Sequence, residues 1–205
     1  HHYRNKIFVI AFDGFALESN SFVNLCTDIN LLHSLGIKII LIHGIRPFID
    51  LRLDKNNIKS RFYKHQRITT AEMTPHSIEA NGLVKTKIEA ALSSYIYHKN
   101  IFKSELKISS GNFLMAKPRG IIDGVDMEQT GVIREINHEA IIEKLNHNEI
   151  VIMSPIGYSP IGEIFNLSFE SSASKIASSI QAEKLIYITE NNGVQNIRGE
   201  YISEM

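Results

Sequence analysis

Cysteine is nearly missing from this 205-residue sequence: Cys26 stands alone, which excludes an internal disulfide and a cysteine-rich zinc site. That usage fits a reducing cytosol, and its place on an apolar helix face makes Cys26 a core residue rather than a nucleophile. Neither sign of charge is in excess, with 22 Lys plus Arg against 22 Asp plus Glu. Bulk electrostatics therefore draws the chain to neither nucleic acid nor an anionic membrane surface, and a small molecule is the expected partner. Long apolar runs are lacking too. IKIILI and EIVIM fall far short of the roughly 20 residues that a spanning helix needs, so no membrane segment and no secretory signal are read.

The common phosphate and catalytic signatures are also missing. None of the 12 glycines is followed by lysine, which removes G-x-x-x-x-G-K-[ST]. None has Gln or Arg three positions earlier, which removes the pyrophosphate loop of acetyl-CoA-dependent N-acetyltransferases, and no two lie two apart, which removes G-x-G-x-x-G. H-E-x-x-H and G-x-S-x-G do not occur. The nine histidines show no ligand spacing, so no metal site is expected. Asp123 and Asp126 in IIDGVD read as turn residues that accept local hydrogen bonds, not as a catalytic pair.

What is present is an α/β rhythm. Lys6 to Phe12 is a strand, and SFVNLCTDINLLHSLG places Phe22, Leu25, Cys26, Ile29, Leu32 and Leu35 on one helical face, with Gly36 as the stop. IKIILIHG is the next strand, making a βαβ unit with a parallel pair. A long helix is expected from about Thr70 to His98, with a kink or close packing to explain Gly82 inside it. The middle, ELKISSGNFLMAKPRGIIDGVDMEQTGVIREIN, reads as short strands forming hairpins beside the sheet. HEAIIEKLNHN is then a helix, EIVIMSPIG a strand, SASKIASSIQAE a helix and KLIYIT a strand. The opening HHYRNK reads as the end of a histidine tag, so His1 and His2 stay outside any metal argument. RGEYISEM closes without a capping helix, as if a longer chain were cut there.

FVIAFDGFA, DINLLHSLGIKIILIHGIRPFID, HQRITT, SGNFLMAKPRGIIDGVD and GEIFNLSFESSASKIASSIQAEKLIYITENNGV occur in an order and spacing that resemble the amino-acid-kinase family. Within it they are most similar to the kinase-like amino-terminal domains of bacterial N-acetylglutamate synthases. The resemblance implies a three-layer αβα sandwich around a mainly parallel sheet, carbamate-kinase-like, over residues 6–205 and truncated at its carboxy-terminal end. Active kinases of the family carry a Lys-Leu-Gly-Gly pattern at the end of the first strand and a Gly-Gly-Gly run after the second. The matching positions here are Ala11-Phe12-Asp13-Gly14 and Gly44-Ile45-Arg46. Ala11 removes a cation, and Asp13 adds an anion whose contact with a phosphate oxygen would cost about 4 kcal/mol at about 4 Å and an effective dielectric of about 20. Side chains on Ile45 and Arg46 are expected to hold the backbone N–H groups off a phosphate. Arg46 either restores a cation or pairs with Asp50 one turn along.

By the same resemblance Arg67 matches the arginine that grips a substrate carboxylate, and Asn166 an asparagine that binds the same ligand. Gly44 and Arg46 complete the expected ligand-binding set. Glu170 falls where the kinases have a lysine-organising aspartate and is left a helix-start role, with Ser168 in place of an asparagine. The implied function is that of a catalytically dead regulatory and assembly domain, with no cofactor of its own, in a cytoplasmic homo-oligomer. The parent enzyme would transfer acetyl from acetyl-CoA to glutamate in a carboxy-terminal domain outside this chain, under feedback control by arginine. The alternatives are an active acylamino-acid kinase and a freestanding binding protein for an amino acid or acylamino acid.

Overall fold

The computed structural model describes residues 2–18, 21–98 and 106–189. β1 (Ile7–Phe12), a 3-10 turn (Gly14–Glu18), α1 (Ser21–Ser34), β2 (Lys38–His43) and α2 (Arg46–Lys55) come first. A hairpin of β3 (Arg61–Tyr63) and β4 (Gln66–Ile68) follows, then α3 (Thr74–His98) and β5 (Lys107–Ser110). The middle holds β6 (Leu114–Pro118), β7 (Ile121–Ile122), β8 (Val125–Asp126) and β9 (Gly131–Ile136). The α/β rhythm then returns through α4 (His138–Asn146), β10 (Glu149–Met153), β11 (Ile156–Tyr158), β12 (Ile164–Asn166), α5 (Phe169–Ile180) and β13 (Lys184–Ile188).

A five-stranded, all-parallel sheet runs in the order β13-β1-β2-β10-β5. Its inner strands are rich in β-branched residues and apolar on both faces, as a sheet covered on both sides requires. Phe8, Ile10, Phe12, Ile39, Leu41, Ile150 and Ile152 pack on one side with α1, α2 and α3. Their alternate neighbours Val9, Ala11, Ile40, Ile42, Val151 and Met153 pack on the other with α4, α5 and a second sheet. That second sheet, β12-β11-β6-β9, is mixed and supplies Leu114, Ala116, Ile133, Ile136 and Phe165 to the same core. The result is the three-layer αβα sandwich, and the central hairpins lie beside the parallel sheet as their Gly and Pro punctuation implies.

Four local expectations change. Leu35 lies past the end of α1 and is exposed, because Gly36 at φ +83° turns the chain there and its N–H donates to His33 O at 2.9 Å. Gly82 in α3 has no atom within 4 Å of a would-be Cβ, so close packing does not explain it. EIVIMSPIG is two strands in two sheets: the chain leaves the parallel sheet at Met153 and enters the second at Ile156. KISS, within the stretch read as hairpins, forms β5 at the edge of the parallel sheet instead. The expected cut near RGEYISEM lies outside the described residues, as does His1.

Candidate functional site: a cleft at the strand ends

β1 and β2 end side by side, Phe12 opposite His43, with β10 next to β2, and the chain leaves β2 for α2 on one face of the sheet but leaves β10 for the second sheet and α5 on the other. Such divergence at the carboxyl ends of parallel strands opens a crevice where ligands of α/β proteins bind. Here the crevice is a cleft of about 660 Å³. Gly14 and Gly44 form its floor. The Gly44 N–H donates to Phe12 O at 2.8 Å, and a Cβ at Gly44 would stand 3.1 Å from Gly14 N and from Phe169 Cδ1. A side chain at Gly44 would press on the backbone of the first connection and push the two connections apart by a few tenths of an ångström.

The Gly14 turn is closely packed by protein. A Cβ on Gly14 would come within 2.7 Å of Pro47 Cδ, so the proline ring lies directly on this turn. Pro47 sits in the first turn of α2, where its fixed φ suits the helix and where it brings no N–H to an anion. Asp13 Oδ1 accepts from Ala16 N at 3.1 Å and so caps the 3-10 turn. Ala11 is fully buried in the α5-side core and does not line the cleft. Ile45 also lines the cleft, although its side chain is 3% exposed and packs in the core on the α1 side.

Arg67, Asn166, Gly44 and Arg46 all line this one cleft. Arg67 is 5% exposed on β4, its guanidinium donating to Asp50 Oδ1 and Ser60 Oγ and stacking 4.8 Å from the Phe62 ring. Asp50 therefore pairs with Arg67 and not with Arg46. Arg46 Nη2 instead donates to His65 O at 3.1 Å, and its guanidinium also lies over Phe62, at 5.6 Å. Asn166, at the end of β12, donates from Nδ2 to Thr69 Oγ1 at 3.1 Å. Thr130 Oγ1 holds the neighbouring backbone, donating to Arg67 O at 2.7 Å and accepting from Thr69 N at 2.9 Å. Ser168 caps α5 by accepting from Ser171 N at 3.1 Å, and its hydroxyl donates to Glu170 Oε2 at 2.7 Å, giving Glu170 the helix-start position expected of it.

Two cleft cations were not singled out from the sequence, Lys64 and Arg119. Lys64 Nζ and Tyr63 Oη both donate to Asp123 at 2.6 Å, and Arg61 pairs with Glu128 at 3.1 Å. These contacts tie the β3–β4 hairpin to the β7–β8 hairpin above the cleft. Asp123 is thus in the expected turn but serves a cross-hairpin ion pair, and the Lys64 ammonium holds its carboxyl below the usual range. Asp126 Oδ1 does accept locally, from Glu128 N at 2.9 Å.

Four cationic side chains, Arg46, Lys64, Arg67 and Arg119, face the cleft against the carboxylates Asp13 and Glu170. Two of the cations are satisfied by Asp50 and Asp123, while Arg46 and Arg119 have no carboxylate partner among the described residues. Behind the floor His43 is fully buried, its Nε2 at 3.3 Å from Ser154 Oγ. Burial pushes the Cys26 thiol up to about 11, which keeps it a protonated core residue. Among the described residues no three His, Cys, Asp or Glu side chains are grouped to hold a metal ion, and no helix is long and apolar enough to cross a membrane.

The parallel sheet with a cleft lined by Arg46, Lys64, Arg67 and Arg119 at its strand ends defines a kinase-type α/β domain. Residues 6–202 match the amino acid kinase family, and the chain belongs to it. It is 40% identical over 203 residues to the amino-acid acetyltransferase of Serratia proteamaculans (strain 568), a match that spans 99% of this chain and 46% of that protein. Two solved structures of N-acetylglutamate synthase from Neisseria gonorrhoeae share its fold closely. The complex with coenzyme A and L-arginine has a TM-score of 0.88 at 35% identity, over 97% of this chain and 47% of that one. The complex with coenzyme A and N-acetyl-glutamate has a TM-score of 0.85 at 36% identity, over 97% and 45%. The chain spans about half the length of these relatives.

Proposed function

We propose that the chain is the kinase-like regulatory and assembly domain of an N-acetylglutamate synthase and transfers no phosphoryl group itself. In this reading residues 6–205 are part of a longer cytoplasmic protein whose carboxy-terminal domain acetylates glutamate from acetyl-CoA. The kinase-like domain forms homo-oligomers and takes part in inhibition by arginine. Its cleft receives a small anionic amino acid or acylamino acid through Arg67 and Asn166, with Arg46 and the Gly44 floor beside them.

The observation that carries the reading is the seating of Pro47 on Gly14. Phosphoryl transfer depends on donors and cations placed around the phosphate oxygens. Here that corner holds a proline ring without an N–H, beside a committed carboxylate and a buried alanine. Arg46 and Arg119 favour a second reading, an active acylamino-acid kinase with a rearranged phosphate site.

The test compares the protein made from the intact gene with residues 1–205 alone, following N-acetylglutamate formation from acetyl-CoA and glutamate. The intact product is expected to be active and inhibited by arginine, and the shorter chain inactive. A natural stop codon directly after Met205, or an intact product without acetyl transfer, overturns the synthase reading.

A further inference from the structure

The β3–β4 hairpin sets Phe62 directly opposite Arg67, so the two side chains leave the same face of the pair. The Arg67 guanidinium carbon lies 4.8 Å from the Phe62 ring centroid. From a different element, the first residue of α2, Arg46 brings its own guanidinium carbon to 5.6 Å from the same centroid. Both fall within the range of about 6 Å over which the electron-rich face of an aromatic ring attracts a cation. We propose that Phe62 is a positioning residue of the main cleft: its ring holds the Arg46 guanidinium in place, alongside Arg67, to bind an anionic ligand. The proposal rests on the reading of the cleft as a site for an anionic amino acid or acylamino acid.

The two arginines are not held alike. Arg67 is 5% exposed and gives its N–H groups to Asp50 Oδ1 and Ser60 Oγ, so its place is fixed without the ring. Arg46 is exposed, has no carboxylate partner among the described residues, and donates from Nη2 to His65 O at 3.1 Å. A long exposed side chain with so few ties loses rotamer freedom when it binds a ligand, and that loss weakens binding. A contact that orders it beforehand removes part of the loss. Phe62 supplies that contact, since it shares a ladder position with the fixed Arg67 and carries that order across to α2. An aromatic ring suits the task better than a carboxylate would, because it attracts the cation without cancelling its charge or taking up its N–H groups. The ring is 48% exposed and is part of neither core, so the fold gains little from burying it.

The probe is N-acetylglutamate, titrated into the nitrogen-labelled chain while the Gly44 and Ser168 amides of the cleft are followed by NMR. Phe62→Leu, which keeps apolar bulk and removes the ring, is expected to weaken binding about two- to fivefold, the worth of one exposed contact between a cation and a ring. Phe62→Tyr, which keeps the ring, should bind as the parent does. The deciding readout is the cycle with Arg46→Gln: in that background Phe62→Leu should weaken binding no further, because the ring acts through Arg46. A hairpin that needed Phe62 only for its own stability would lose the same factor with or without Arg46. Equal binding by the parent and Phe62→Leu, a loss that persists in full in the Arg46→Gln background, or a Phe62→Tyr variant as weak as Phe62→Leu overturns the proposal and leaves the reading of the cleft intact. No saturable shift in the parent is a different result, which overturns that reading and the proposal with it.

Discussion

His43 stands at the end of β2 with no exposed surface, and its environment decides its protonation. Burial is the main cause that holds its imidazole down to about 4 from the ordinary 6.5; the Gly44 backbone opposes this, and the Lys85 charge adds to it. Burial also lowers His33, whose ring nitrogen lies 3.0 Å from Asn148 O. As pH falls from 6.5 towards 4 the unfolded chain takes up a proton at His43 that the folded chain refuses, so stability declines across that window and the full contribution is present above it. For His43 alone the loss is on the order of 3 kcal/mol. Urea unfolding at a series of pH values should show the decline in the parent and a shallower one in His43→Gln. An equally steep decline in the variant would remove His43 as the cause. The grouping of single residues was legible in the sequence where a motif surrounds them: Gly44, Arg46, Arg67 and Asn166 do share a cleft. Partners were not, because Asp50 reaches Arg67 only after the β3–β4 hairpin folds back over α2.

Among the elements, the inner strands and α1, α4 and α5 could be read because each has a contiguous apolar run or a helical stripe. α2 was hidden, since GIRPFID looks like a loop although Pro47 is a helix-start residue. Lys64 and Arg119 were hidden for a different reason. They sit on turns brought together by the pairing of two hairpins about 60 residues apart, as in the Lys64–Asp123 contact. The β3–β4 turn is itself strained: Lys64 and His65, at φ 45° and 63°, occupy the two positions where such hairpins prefer Asn-Gly. Backbone of this kind is held in place by its surroundings, here the Arg46 bond to His65 O and the ion pair to Asp123. His65→Gly keeps that carbonyl and should stabilise the fold by about 1 kcal/mol in urea unfolding. An unchanged or lower midpoint would mean that the His65 side chain contributes more than the strain takes away.

For the whole molecule the sandwich of the amino acid kinase family is kept, while Pro47 is seated on the Gly14 turn at the strand ends. The parallel pairing followed from the alternation of strands and helices, and the three layers from the family that the ordered motifs resemble. The seating of Pro47 on the Gly14 turn did not, because the approach of α2 to that turn is a tertiary contact with no local signature. Restoring the first-strand lysine alone should fail for that reason. Ala11 lies in the core facing α5, so a lysine there would meet packed side chains before it met a phosphate. The decisive measurement is ADP formation from ATP, magnesium and N-acetylglutamate by the purified chain and by Ala11→Lys. Both are expected to stay at the level of a no-protein control. ADP that depends on N-acetylglutamate and disappears in Arg46→Ala would contradict the loss of kinase chemistry and establish an active acylamino-acid kinase.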